Sequence, residues 1–151
     1  MSHIIEQYFH KVTDAYISDR FAESLLKACI KYCPIALKEP DNYEARANLM
    51  WASTQALNGL IASGKGGQWT CHPIEHELSA YYDITHGVGL AILTPRWMRY
   101  ILSDETVDKF SEYGRNVWNI AEEDAIKYNA LEKAYVPLKK EDVANILREC
   151  L

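Results

Sequence analysis

Turn-forming residues are scarce: the chain has seven glycines and five prolines in 151 positions, fewer than globular domains usually carry. That scarcity excludes a meander of short strands and favours long helices. No stretch alternates apolar and polar residues over six or more positions with β-branched enrichment, so the signature of a half-buried strand is missing too. Long hydrophobic runs are also absent. The long uncharged stretch from Leu49 to Ser63 is interrupted by Ser53, Thr54, Gln55 and Asn58, and it cannot span a bilayer. No block of Lys or Arg stands out and the net charge is −5, which removes the electrostatic footprint of a nucleic-acid binder. The first twenty residues hold Glu6, Lys11, Asp14, Asp19 and Arg20, unlike a secretory signal. Cysteines are few (Cys29, Cys33, Cys71 and Cys150) and none forms a C-x-x-C pair. Free thiols in a reducing, cytoplasmic compartment are therefore expected.

What is present is a single-domain length with 48% hydrophobic and 25% charged residues, enough to bury a core without disulfides or a structural metal. Apolar residues recur at helical spacing. Ile5, Tyr8, Phe9, Val12 and Tyr16 mark a first helix, and Phe21, Leu25, Ala28, Cys29 and Tyr32 a second that runs to Pro34. Asp41 is expected to cap a third, which carries Leu49, Ala52, Ala56, Leu57, Leu60 and Ile61 as far as Gly64. After the loop Gly64 to Gln68, one helix starts near His72 and another at His86, with Pro95 as a kink. Asp104 is expected to cap a helix with Val107, Phe110, Val117 and Trp118. Val143, Ile146, Leu147 and Cys150 mark a last helix, after a weakly patterned linker from Ala121 to Pro137. The expected fold is all-α, one domain over residues 1–151 with about six or seven helices.

Five histidines occur, and three of them, His72, His76 and His86, fall within fifteen residues. A spacing of four puts His72 and His76 on one helix face, about 5 to 6 Å apart at the β-carbons. His86 opens the next helix, so a short turn can aim its ring at the same point, and neutral imidazole suits Zn, Fe, Ni or Cu. The plain alternative is that all three are helix-end polar residues satisfied by backbone and water. His10 stands alone and reads as structural or solvated. Residues 72–76, His-Pro-Ile-Glu-His, also fit the H-x-x-E-H pattern of inverted zinc peptidases. In that alternative, a small zinc hydrolase, His72 and His76 hold zinc and Glu75 is the general base. Gly87-Val88-Gly89 begins like a dinucleotide loop but sits in a helical pattern and lacks the third glycine. Ser24-Leu25-Leu26-Lys27 matches S-x-x-K without its accompanying motifs. Neither is taken as functional.

The gapless run from Trp69 to Gly89, WTCHPIEHELSAYYDITHGVG, closely resembles the second motif of the iron-containing (group III) alcohol dehydrogenases, in the branch of NAD(P)H-dependent butanol dehydrogenases and aldehyde reductases. The resemblance implies the dehydroquinate synthase-like helical domain of that family and a divalent metal, Fe2+ or Zn2+. It also implies NADH or NADPH as hydride carrier and a small alcohol or aldehyde as substrate. By motif position, His72 and His86 would bind the metal, and His76 would lie near nicotinamide and substrate as the proton-handling residue. Ser2 to Tyr8 looks like the end of the family's earlier Asp-x-x-x-His motif, which makes His3 the third imidazole ligand and puts the Asp two positions ahead of Met1. Glu6 would then be either a support for a ligand or a solvated helix residue. Glu75 has no part in this reading.

The similarity runs from Ser2 to about Asn119, and Ala134 to Val143 looks like the family's C-terminus. The resemblance thus implies a chain short of the nucleotide-binding domain, one metal ligand and part of the helical domain, and not competent for hydride transfer alone. Apolar surface left without that domain is expected to drive a homodimer or larger assembly. A helical interaction or remnant domain without catalysis is the remaining alternative.

Overall fold

A computed structural model describes residues 1–66 and 69–120. Among them are six helices and no strand: α1 (Ser2–Tyr8), α2 (Tyr16–Lys38), α3 (Tyr43–Leu57), α4 (Cys71–Tyr82), α5 (His86–Ile101) and α6 (Val107–Trp118). The expected all-helical class is what the described residues adopt. The expected helix over 143–150 and the linker over 121–137 lie outside the described residues. None of the described helices is long and apolar enough to cross a membrane. The described residues group into two compact units, chiefly 3–66 with 116–119 and 69–115.

In the first unit, Ile4, Ile5 and Tyr8 of α1 are buried, with Ala22, Leu26 and Cys29 of α2 and Ala45, Ala52 and Ala56 of α3. The α3 set consists of alanines at helical spacing, which lets a neighbouring helix approach closely along that face. Several polar groups in this interior are paired. The Tyr8 hydroxyl donates to Glu23 Oε1 at 2.8 Å, which also accepts from Arg20 at 2.7 Å and Asn116 at 3.0 Å. Lys65 is nearly fully buried against Asp19 and donates to the Gln7 carbonyl at 3.1 Å. Cys29, Cys33 and Cys71 are free thiols.

Several boundaries differ from the pattern. α1 ends at Tyr8 instead of running through Val12, because the Val12 amide is taken by His10 Nδ1 at 3.0 Å and not by a carbonyl one turn back. α2 passes through Pro34 to Lys38. One missing N–H costs a single rung, and the Glu39 amide still closes onto the Ile35 carbonyl at 2.8 Å. The cap of α3 is Asn42, not Asp41: its side chain accepts from the Ala45 amide at 3.0 Å. α3 stops at Leu57, seven residues short of Gly64, because Gly59 takes a left-handed φ of +92° and Asn58 folds back to accept from the Leu60 amide.

In the second unit, α4 and α5 form a hairpin across the short turn Asp83–Thr85. Asp83 closes α4 in the left-handed region at φ +52°, a conformation that Asp tolerates better than most residues. Leu90, Leu93 and Trp97 of α5 and Cys71 of α4 are buried. Pro95 lies inside α5, which continues to Ile101. Asp104 does not cap α6. Instead Thr106 Oγ1 accepts from the Ser103 amide at 2.9 Å and donates to the Ile101 carbonyl at 2.6 Å, so the helix begins after that turn, at Val107.

Candidate metal centre

α4 begins at Cys71, which places His72, Glu75, His76 and Ser79 along one stripe of its surface, three or four residues apart. The hairpin turn returns the chain so that His86, the first residue of α5, meets that stripe. The His86 ring centroid lies 5.5 Å from that of His72 and 5.2 Å from that of His76. The Trp69 ring stands edge-on to His72 at 5.0 Å. His72 is buried and Glu75 has no exposed surface, whereas His76 and His86 are exposed. The cluster therefore has a dry inner side and a wet outer side.

Both oxygens of the buried Glu75 carboxylate are engaged. Oε1 accepts from the Ser79 hydroxyl, and Oε2 meets His86 Nδ1. The Ser79 oxygen also lies 3.1 Å from the Ile84 carbonyl in the turn. Across the hairpin, Gly89 faces the same carboxylate: a β-carbon there would stand 2.5 Å from Glu75 Oε1 and 2.7 Å from its Cγ. Only a glycine leaves the carboxylate its place.

The donor set fits a divalent transition metal. Imidazole nitrogen suits Fe2+ and Zn2+, and carboxylate oxygen is an accepted companion ligand for zinc. Donor atoms of Glu75, His76 and His86 all lie within 4.8 Å of one another, and small side-chain movements bring such atoms to ligand distance, about 2.0 Å, from one centre. This triplet contains Glu75 and His76, which the motif places off the metal, beside His86, which it places on it.

Of the sequence-derived candidates, the structure thus brings His72, His76 and His86 together. His3 lies on α1, part of the other unit, and is half-buried. Glu6 is buried, which removes the solvated reading of that residue. His10 is structural: besides its bond to Val12, burial holds its pKa below the ordinary value, Lys65 and Lys11 lower it further, and Asp19 opposes them. Sequence reasoning missed Ser79, Gly89, Trp69 and the contact of Glu75 with His86. The spacing of four between Glu75 and Ser79 was a usable signal for that pair. Gly89 had none, because its role depends on how the two helices meet.

The family model described as the C-terminal part of the Fe-containing alcohol dehydrogenase family matches residues 1–150. The chain is 66% identical over 123 residues to NADH-dependent butanol dehydrogenase B of Clostridium acetobutylicum, covering 82% of this chain and 32% of that protein. It is 48% identical over 121 residues to the NADPH-dependent aldehyde reductase YqhD of Escherichia coli, covering 80% and 31%. Among solved structures, it is similar to NADH-dependent butanol dehydrogenase A from Thermotoga maritima, with a TM-score of 0.76 and 38% identity over 99% of this chain and 35% of that one. The chain spans about a third of the length of the curated relatives it matches.

Proposed function

The chain belongs to the iron-containing alcohol dehydrogenase family, and on that premise we propose that it forms the helical, metal-holding part of an oxidoreductase that interconverts primary alcohols and aldehydes with NADH or NADPH. The observation that carries this reading is the convergence of three imidazoles on the α4–α5 hairpin, beside a buried carboxylate. His72, buried against Trp69, and His86 are the residues assigned to the metal. A divalent ion there would supply Lewis-acid polarisation of the substrate oxygen.

His76 faces solvent beside His86 and is assigned to proton exchange between the substrate oxygen and water, a task suited to an imidazole near neutral pH. The buried side, with His72 and Trp69, keeps water from the back of the centre. Glu75 is poorly placed for the hydrolase alternative, in which it would take a proton from water: it has no exposed surface and both its oxygens are engaged. The described residues form six helices and no strand, and hydride delivery is assigned to a nucleotide-binding part outside them.

Metal analysis of the purified chain after reconstitution with Zn2+ or Fe2+ tests the assignment. The expected result is one tightly held equivalent in the wild type and in His76→Ala, and an ion that a mild chelator wash strips from His72→Ala and His86→Ala. If His76→Ala loses the metal instead of His72→Ala, the centre is built on Glu75, His76 and His86. If the wild type takes up no metal, the non-catalytic helical reading stands. NADH-dependent reduction of butyraldehyde by the 151-residue chain alone is expected at background rate.

A further inference from the structure

Within the metal reading above, on which this inference rests, we propose that Glu75 is a positioning residue. It fixes the His86 ring by accepting its Nδ1 hydrogen, so that Nε2 carries the lone pair offered to a divalent ion, and Ser79 and Gly89 hold Glu75 in place to do so. Three features of the structure converge on this role. The carboxylate has no exposed surface, so its partners are protein groups and not water. Its two oxygens divide the work: Oε1 is tied to Ser79 on its own helix, and Oε2 reaches across the hairpin to His86. Gly89, one turn beyond His86, clears the space the carboxylate occupies, since a β-carbon would sit 2.5 Å from Oε1.

A neutral imidazole has one N–H and one lone pair, so the partner of one nitrogen decides what the other can do. A carboxylate facing Nδ1 places the hydrogen there and leaves Nε2 free to coordinate, and it also raises the ring's strength as a ligand. A carboxylate that tied the two helices together without this role would stabilise the hairpin equally well, but it would leave the preference for metal untouched. The side chain of Glu77, exposed on the same helix, provides the comparison.

The test uses the full chain with two readouts. Nitrogen NMR of the metal-free protein at alkaline pH reports which ring nitrogen of His86 carries the hydrogen, and competition against a chromophoric chelator reports affinity for Zn2+ alone. The wild type is expected to hold the Nδ1–H form. Glu75→Ala should shift His86 towards the Nε2–H form and weaken Zn2+ binding by roughly 10 to 100-fold. The nearly isosteric Glu75→Gln preserves packing and should weaken binding towards the lower end of that range. Glu77→Ala should change neither readout. If the wild type binds Zn2+ and both Glu75 variants bind it as well, or if wild-type His86 is in the Nε2–H form, the positioning role is overturned while the metal reading stands. If the wild type binds no Zn2+, the metal reading fails, and the positioning role with it.

Discussion

Two glycines near the start of α5 offer a matched pair of substitutions. A β-carbon at Gly87 meets nothing within 4 Å, whereas one at Gly89 meets Glu75 Oε1 at 2.5 Å, Cγ at 2.7 Å and Cδ at 3.0 Å. Replacing a helical glycine by alanine ordinarily stabilises by about 0.5 to 1 kcal/mol, and Gly87→Ala should gain that. Gly89→Ala has the same backbone benefit but must displace a buried carboxylate held by Ser79 and His86, and forced overpacking of this kind costs about 1 to 3 kcal/mol. Because the propensity gain cancels, the difference between the two alanines isolates the packing cost, about 1 to 3 kcal/mol, or roughly 2 to 12 °C in Tm for a chain of this size. The assay is thermal and urea unfolding by circular dichroism in the presence of EDTA, so that metal binding adds nothing to the folded state. The double variant Glu75→Ala with Gly89→Ala should recover part of the loss, because removing the carboxylate opens the space the methyl needs. Equal stability of Gly87→Ala and Gly89→Ala would refute the reasoning, since Gly89 would then not be reserved for Glu75.

Other consequences follow from the first unit and from the surface. Lys65 and Asp19 are both nearly fully buried, so Lys65→Ala should destabilise by about 3 to 5 kcal/mol by stranding the carboxylate, while the double variant Lys65→Met with Asp19→Leu should be far closer to wild type in urea unfolding. Folding holds His10 below its ordinary pKa of 6.5. Its contribution is therefore intact above pH 6.5 and is lost as the pH falls below that, where the unfolded chain takes up a proton that the folded chain resists. His10→Asn, which keeps an acceptor for the Val12 amide, should flatten the stability profile on the acid side, and an unchanged slope would contradict this. Tyr43, Met50, Trp51 and Leu57 of α3 are exposed. Sedimentation velocity at micromolar concentration is expected to show species larger than the 17.3 kDa chain, and the double variant Met50→Glu with Trp51→Glu should return the protein to a monomer.

The helical class and the grouping of His72, His76 and His86 were legible because both depend on local spacing. A period near 3.6 identifies each helix, and a gap of four followed by a turn and a tenth residue brings three rings to one end of a hairpin. What could not be read depends on contacts between elements or on competition between near-equal local choices. Asp41 and Asn42 are equally good caps by residue type, and the register of α3 decides for Asn42. Pro34 reads as a stop, yet α2 continues past it, at the cost of a single rung. The H-x-x-E-H spacing marks Glu75 as a possible base but not its burial, which follows from the packing of α5 against α4 across the turn Asp83–Thr85. The same packing sets Gly89 opposite the carboxylate, so a glycine that resembles part of a nucleotide loop serves instead as clearance for a neighbouring side chain.

X-ray absorption at the zinc edge of the Zn2+-loaded chain counts the imidazoles bound to the ion. The expected shell is dominated by histidine nitrogen, loses one imidazole in His86→Ala and one in His72→Ala when these are loaded with excess Zn2+, and keeps its count in His76→Ala. A shell unchanged by His86→Ala, or one containing sulfur, would contradict the metal assignment.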